Sequence, residues 1–306
     1  MKIDRRTAIK TVAVGVGSLA ITPEFLRAAD GKKLFGEGFA NLETLTTGEW
    51  WKRPGNNGKP APRGRKGAPP SMNVPRDQVV AFAMYTHQGG VLKLSAQLFP
   101  LKPGEKREAR LELMLPGQKK WSVAARTEVH YPGWDAHFRI EDWDNTNDVK
   151  YRVCHGEKAK FEGLIRRDPV DRDEIVVANL SCNSSRTTGP RDEIVRNLRR
   201  LNPDLLFFGG DQHYRHTEHT TGWIEFGLQY RDVIRDRPTV CIPDDHDVGH
   251  GNVWGESGKR STIRGDADGG YRYPVKYVNQ VQRQQTTSLP DPVDPEPVSR
   301  KIGVYF

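Results

Sequence analysis

Between Glu174 and Ile242 the chain alternates continuous apolar runs with amphipathic ones, and this rhythm restricts its fold more than any other feature. Glu174-Ile175-Val176-Val177-Ala178-Asn179-Leu180 is an unbroken apolar run, the kind that lies in a sheet buried on both faces. After Gly189-Pro190, Asp192 and Glu193 open a helical pattern in which Ile194, Leu198 and Leu201 recur on one side. Arg199-Arg200 sit at its end, where they suit the helix dipole, and Asn202-Pro203 stops it. Asp204-Leu205-Leu206-Phe207-Phe208 is a second strand, and Trp223, Phe226, Tyr230 and Ile234 mark a second amphipathic helix closed by Arg237-Pro238. Thr239-Val240-Cys241-Ile242 is a third strand. Strand, helix, strand, helix, strand at this spacing predicts βαβ units and a parallel sheet.

Upstream, from about Asp77 to Arg167, the period is two. Val79 to Tyr85 reads as a short buried strand, and Val91 to Phe99 alternates apolar with polar residues before Pro103-Gly104. Ala109, Leu111, Leu113 and Leu115 alternate before the Pro116-Gly117 turn. Trp121 to Ala125, His137 to Ile140 and Lys150 to Val153 follow at short spacing. Short strands between Gly, Pro and Asn turns predict a β-sandwich of immunoglobulin-like or fibronectin-like size. The expected class is therefore α+β in two domains, a β-sandwich over 77–167 and a partial α/β domain over 168–306. A chain of 306 residues accommodates both. One further helix is expected around Tyr273 to Gln282, within a loop-rich stretch from Gly249 to Val298.

Residues 1–29 stand apart. Asp4-Arg5-Arg6-Thr7-Ala8-Ile9-Lys10 precedes an apolar, small-residue run from Thr11 to Ile21, with a cleavage-type sequence at Ala28-Ala29. Paired arginines before such a run resemble a twin-arginine export signal. The run is shorter than the ~20 residues of a stable span, so a short N-terminal anchor is the alternative and no other stretch reads as a membrane span. A periplasmic or secreted location is expected. Residues 30–76 read as a linker, basic and rich in Pro and Gly: from Lys52 to Arg76 there are seven basic residues and no acid. No aromatic residue follows Trp51 in that segment to stack on bases, so nucleic acid is not the expected partner despite the net charge of +8. Three cysteines, Cys154, Cys182 and Cys241, do not make a disulfide framework.

Each strand of the parallel sheet runs out into reactive side chains. The first ends in Ser181-Cys182-Asn183, the second in Gly209-Gly210-Asp211-Gln212-His213-Tyr214, the third in Pro243-Asp244-Asp245-His246-Asp247. Ligands of open α/β sheets bind beyond the carboxyl ends of the strands. A thiol, a phenol and several carboxylates there can neutralise a high positive charge, and the carboxylate and other oxygen donors suit hard cations such as calcium, manganese or ferric iron. Taken singly, each residue has a plainer reading. Cys182 can be a small buried hydrophobe, Asp211 and Asp244-Asp245 can cap turns, and His213, His216 and His219 can form a loop cluster. Convergence at three successive strand ends favours the metal site.

Ser181-Cys182, Gly210-Asp211-Gln212-His213-Tyr214 and Asp244-Asp245-His246-Asp247 through Gly251-Asn252 together resemble the PhoD-like alkaline phosphatases, a branch of the calcineurin-like metallophosphoesterases. The resemblance spans roughly Asp168 to Phe306. It implies a metal-dependent phosphoric ester hydrolase acting on phosphate mono- or diesters, small or polymeric, with ferric iron (Fe3+) and calcium (Ca2+), other divalent metals being alternatives. It further implies that Cys182 and Tyr214 bind the iron, that Asp211 bridges the metals and that Asp245 holds the second one. His246 would contact the phosphate or the leaving group as a general acid. Asn252 would touch metal or phosphate, and Asp244 and Asp247 would orient the others.

The family completes its metal site from a second half of the fold. The chain ends on Lys301-Ile302-Gly303-Val304-Tyr305-Phe306, which reads as the start of a strand, so a truncated and inactive product is one expectation and an uncovered apolar sheet is another. The alternative function is a non-catalytic extracellular binding protein that keeps the first half of the fold. Sulfate ester cleavage fits less well, because Cys182-Asn183-Ser184-Ser185-Arg186 has Ser where a sulfatase pattern has Pro. Substrate identity and oligomeric state are beyond the sequence.

Overall fold

A computed structural model describes residues 70–184, 191–249, 261–262, 268–273 and 275–291. The expected leader at 1–29, linker residues 30–69, Gly189-Pro190, Asn252 and the strand-like run 301–306 lie outside the described residues. No helix among the described residues is long and apolar enough to cross a membrane.

The fold is α+β. Seven strands come first: β1 (Val80–Gln88), β2 (Val91–Leu98), β3 (Glu108–Met114), β4 (Ser122–Glu128), β5 (Asp135–Ile140), β6 (Val149–His155) and β7 (Ala159–Ile165). They form two antiparallel sheets, ordered β1-β2-β5 and β4-β3-β6-β7. Alternation sets the faces: in β7, Ala159 and Phe161 are buried while Lys160 and Glu162 are exposed. Buried Phe82, Leu94 and Leu98 from the first sheet join Leu111, Tyr151 and Phe161 from the second in one hydrophobic core.

Three further strands, β8 (Val177–Leu180), β9 (Leu205–Phe208) and β10 (Thr239–Cys241), alternate with helices α1 (Arg191–Leu201) and α2 (His219–Ile234). They form a parallel sheet ordered β10-β9-β8. The last helix, α3, spans Val275–Thr286, two residues later at its start and four at its end than the sequence pattern indicates. Ala178, Leu206, Phe208 and Cys241 enter the same core as the antiparallel strands. Phe208 presents its ring to Phe226 of α2 in an edge-on contact at 4.8 Å. Next to Phe226 on the same helix face, α2 meets β1, with Phe82 edge-on to Trp223 at 5.4 Å. Glycine at 227 makes that approach possible, since a Cβ there would lie 2.0 Å from the Phe82 ring.

One expectation is corrected. The run ending in β8 is not buried on both faces: Val177 is 46% exposed, and Ile175 (59%) and Ile242 (45%) share its exposure. The cause is topological. The strands advance in one direction across the sheet, so two right-handed crossovers place α1 and α2 on the same face. Both crossover helices then cover one face and leave the other without one.

Candidate metal centre

The carboxyl ends of β8, β9 and β10 lie side by side, and backbone pairing continues past them. Cys182 N–H donates to Gly210 O at 3.2 Å, Asn183 N–H to Asp211 O at 2.8 Å and Ile242 N–H to Phe208 O at 3.0 Å. The three loops therefore start from one fixed edge. Gly210 has φ +97°, and a Cβ there would sit 2.4 Å from the Asp244 Cβ, so a bare backbone lets the second and third loops touch. Cys182 (φ 53°) and Asp211 (φ 58°) also occupy the left-handed region. For non-glycine residues that costs about 1 kcal/mol or more each, and it is typical of sites where side-chain placement outweighs backbone comfort.

Asp211 is the hub. Its Oδ2 accepts the Tyr214 hydroxyl at 2.7 Å and faces the Cys182 Sγ at 3.7 Å. Its Oδ1 accepts the His246 backbone N–H at 3.3 Å. Asp211, Asp245 and His246 offer ligand atoms that all lie within 4.8 Å of one another. Five of the residues singled out in the sequence, Cys182, Asp211, Tyr214, Asp245 and His246, thus meet around one carboxylate. Asp244 is exposed, and its Oδ1 accepts the Asp245 N–H at 2.8 Å. Asp247 is fully buried and braces two loops. Its Oδ2 accepts N–H groups of Asp211 (2.8 Å) and Asp244 (3.0 Å), and its Oδ1 accepts that of Gln212 (3.0 Å).

The electrostatics are those of crowded, unneutralised donors. Burial raises the Asp211 pKa, and repulsion from Asp245 and Asp244 adds to it against the opposing Tyr214 hydrogen bond and His246. Burial first, then Asp211 and Cys182, push the Tyr214 phenol above its ordinary range. Burial lifts Asp247 to about 7. Carboxylates, a phenol, a thiol and an imidazole gathered in one place, with the charged forms of Asp211 and Tyr214 disfavoured, fit a cation, which would relieve that strain. Cys182, Asp211, Tyr214, Asp245 and His246 are the residues that could hold it.

The three loop histidines divide. His213 Nε2 and His219 Nδ1 pair at 2.8 Å inside the protein, and burial lowers the His219 pKa to about 3. His216 Nε2 instead meets His246 Nδ1 at 2.6 Å. Sequence reasoning passed over Gln212, whose buried amide donates to Ile242 O (3.0 Å) and to Gln285 Oε1 of α3 (3.2 Å). Its only signal was its place between Asp211 and His213. Beside the centre a cavity of ≈ 280 Å³ is lined by Asn179, Asn183, Arg191, Ile194, Asp211 and Tyr230 among others.

No protein-family model matches the sequence, and no curated protein matches it either. Solved structures do resemble it. The structure of PhoD superposes with a TM-score of 0.55 at 12% identity, over 72% of this chain and 48% of that one. The purple acid phosphatase PPD1 from yellow lupin (Lupinus luteus) seeds gives a TM-score of 0.46 at 14% identity, over 72% of this chain and 42% of that one. This second likeness is too loose to carry weight. The first, at such low identity, is a likeness of fold: the chain has a fold like that of PhoD and spans about half the length of that structure.

Proposed function

We propose that the protein is an exported, PhoD-like metal-dependent hydrolase of phosphate mono- or diesters. In this reading residues 77–167 form a β-sandwich of immunoglobulin or fibronectin size, and residues 168–306 an α/β phosphoesterase domain. The paired arginines at Arg5-Arg6 direct twin-arginine export to the periplasm or beyond. The observation that supports the chemistry most is the meeting of Cys182, Tyr214, Asp245 and His246 around Asp211 at three adjacent strand ends.

Cys182 and Tyr214 would hold ferric iron, Asp211 would bridge it to a second ion such as calcium, and Asp245 would hold that second ion, with Asn252 touching metal or phosphate. When bound, the ions would supply charge neutralisation at the phosphoryl group and a water acidified enough to attack at neutral pH. The protein's own residues do the rest. Asp247 keeps the Asp211 and Asp244 loops in register, Asp244 turns the chain into Asp245, and His246 gives a proton to the leaving oxygen.

Elemental analysis of the purified chain, with turnover of p-nitrophenyl phosphate and bis-p-nitrophenyl phosphate, tests this. Bound metal and turnover, both lost in Asp211→Asn, are expected. A folded sample with neither would instead favour the non-catalytic binding protein, a reading that the open face at Val177 and Ile242 supports.

A further inference from the structure

His216 stands outside the donor set yet makes the shortest ring-to-ring contact in the centre. Its Nε2 lies 2.6 Å from His246 Nδ1. The two rings are within 15° of parallel, with centroids 4.8 Å apart. That separation is the hydrogen bond plus one ring radius at each end. The rings therefore meet edge to edge in nearly one plane, the alignment a strong hydrogen bond requires. Tyr214 closes on His246 from another side, with centroids 4.2 Å apart.

His216 is itself held firmly. Its carbonyl accepts the hydroxyl of buried Tyr277 at 3.1 Å. Gly249 packs so tightly against it that a Cβ would come within 2.6 Å of that carbonyl oxygen. The His216 loop is thus fixed between α3 and the turn carrying His246. Among the described residues His246 Nδ1 has His216 as its hydrogen-bond partner, and Nε2 has none. A neutral imidazole carries one ring proton, and the partner of one nitrogen decides what the other can do.

We propose that His216 is a positioning residue for His246: its Nε2 accepts the His246 Nδ1–H, which fixes the neutral tautomer and ring plane and leaves Nε2 to take up the proton that it then gives to the ester oxygen of a phosphate substrate. The nature of that oxygen rests on the phosphoesterase reading above; the tautomer does not.

Imidazole 15N NMR of the full chain, histidine-labelled and metal-free, tests it, with His246 assigned by its loss in His246→Asn. The wild type should show His246 as a single tautomer protonated at Nδ1. His216→Phe, which keeps a ring but no acceptor, should give a mixture of tautomers. His216→Gln, whose Oε1 can stand in for the ring nitrogen, should restore the single form. With metals supplied, His216→Phe should lower kcat on p-nitrophenyl phosphate at least about tenfold with KM little changed, and His216→Gln should recover most of it. A neutral His246 ring protonated at Nε2 alone in the wild type, or a tautomer indifferent to His216→Phe, would overturn the proposal. Absence of turnover in the wild type would count against the phosphoesterase reading alone, because the NMR result decides the positioning role by itself.

Discussion

The ion pair that ties α3 to the antiparallel sheet offers a sharp test of what holds the centre in place. Asp135, at the start of β5, is 2% exposed in its side chain and receives Arg283 of α3 through two bonds, Nε to Oδ2 and Nη2 to Oδ1, each 2.8 Å. His137 Nε2 adds a third contact at 2.6 Å. Burial alone would raise the Asp135 carboxyl, but the Arg283 guanidinium and His137 overcome it and hold the group well below the usual carboxylate range. Arg283→Met strands that carboxylate. Breaking a buried pair costs ~3–5 kcal/mol, and with the guanidinium partly exposed the low end, ~3 kcal/mol, is expected. For a chain of 306 residues that is a loss of about 5 °C in Tm. The sign of the pH dependence follows. A depressed folded pKa contributes stability that is present above the unfolded value of ~3.9 and is lost as pH falls below it. In the variant the lone buried carboxyl has a raised pKa, so its penalty grows as pH rises. The gap between the two proteins should therefore be widest near neutral pH and should shrink toward about pH 4. Asp135→Asn combined with Arg283→Met should recover much of the loss, because no charge remains buried. Thermal and urea unfolding between pH 4 and 7.5 measures all three. A variant within about 1 kcal/mol of wild type at pH 7, or a gap independent of pH, would refute the reasoning. Since α3 also supplies Tyr277 to the His216 loop and Gln285 to Gln212, the same variant should weaken metal binding.

Asp247→Ala leaves three N–H groups, two of them buried, without acceptors and should cost ~3 kcal/mol in urea unfolding, whereas Asp247→Asn, which keeps one oxygen for two of them, should cost about half as much. Gly227→Ala drives a Cβ into the Phe82 ring and should destabilise by ~2 kcal/mol or more; adding Phe82→Leu should restore part of that, and an unaffected single variant would show that α2 can shift away from β1. His219, whose pKa burial lowers to about 3, should remain neutral at pH 5 by imidazole NMR, and a ring titrating near 6 would contradict its burial. Because the folded form then binds fewer protons than the unfolded chain, its contribution is complete above ~6.5 and falls by about 1.4 kcal/mol per pH unit below that, visible as acid destabilisation lost in His219→Phe.

Local pattern made much of the architecture legible. Period two between Asp77 and Arg167 and the strand–helix rhythm from Glu174 to Ile242 are properties of neighbouring residues, and the antiparallel and parallel sheets follow them closely. So do the polar strand ends: Cys182, Asp211 and the Asp244-to-Asp247 run break apolar segments in plain view, and parallel pairing sets them side by side. Tertiary structure alone decided the rest. The run ending in β8 has the composition of a doubly buried strand, but crossover hand and strand order left Val177 exposed, and neither is written in a local pattern. Four of the loop and turn histidines look alike in sequence, yet burial pairs His213 with His219 while a residue thirty positions away pairs with His216. Asp247 reads like its neighbours Asp244 and Asp245, and it is the fold, by closing a shell of backbone N–H groups around it, that makes it a brace. Residue type determined which chemistry could occur at the strand ends; long-range contact, which no short window of sequence encodes, determined which side chain points at it.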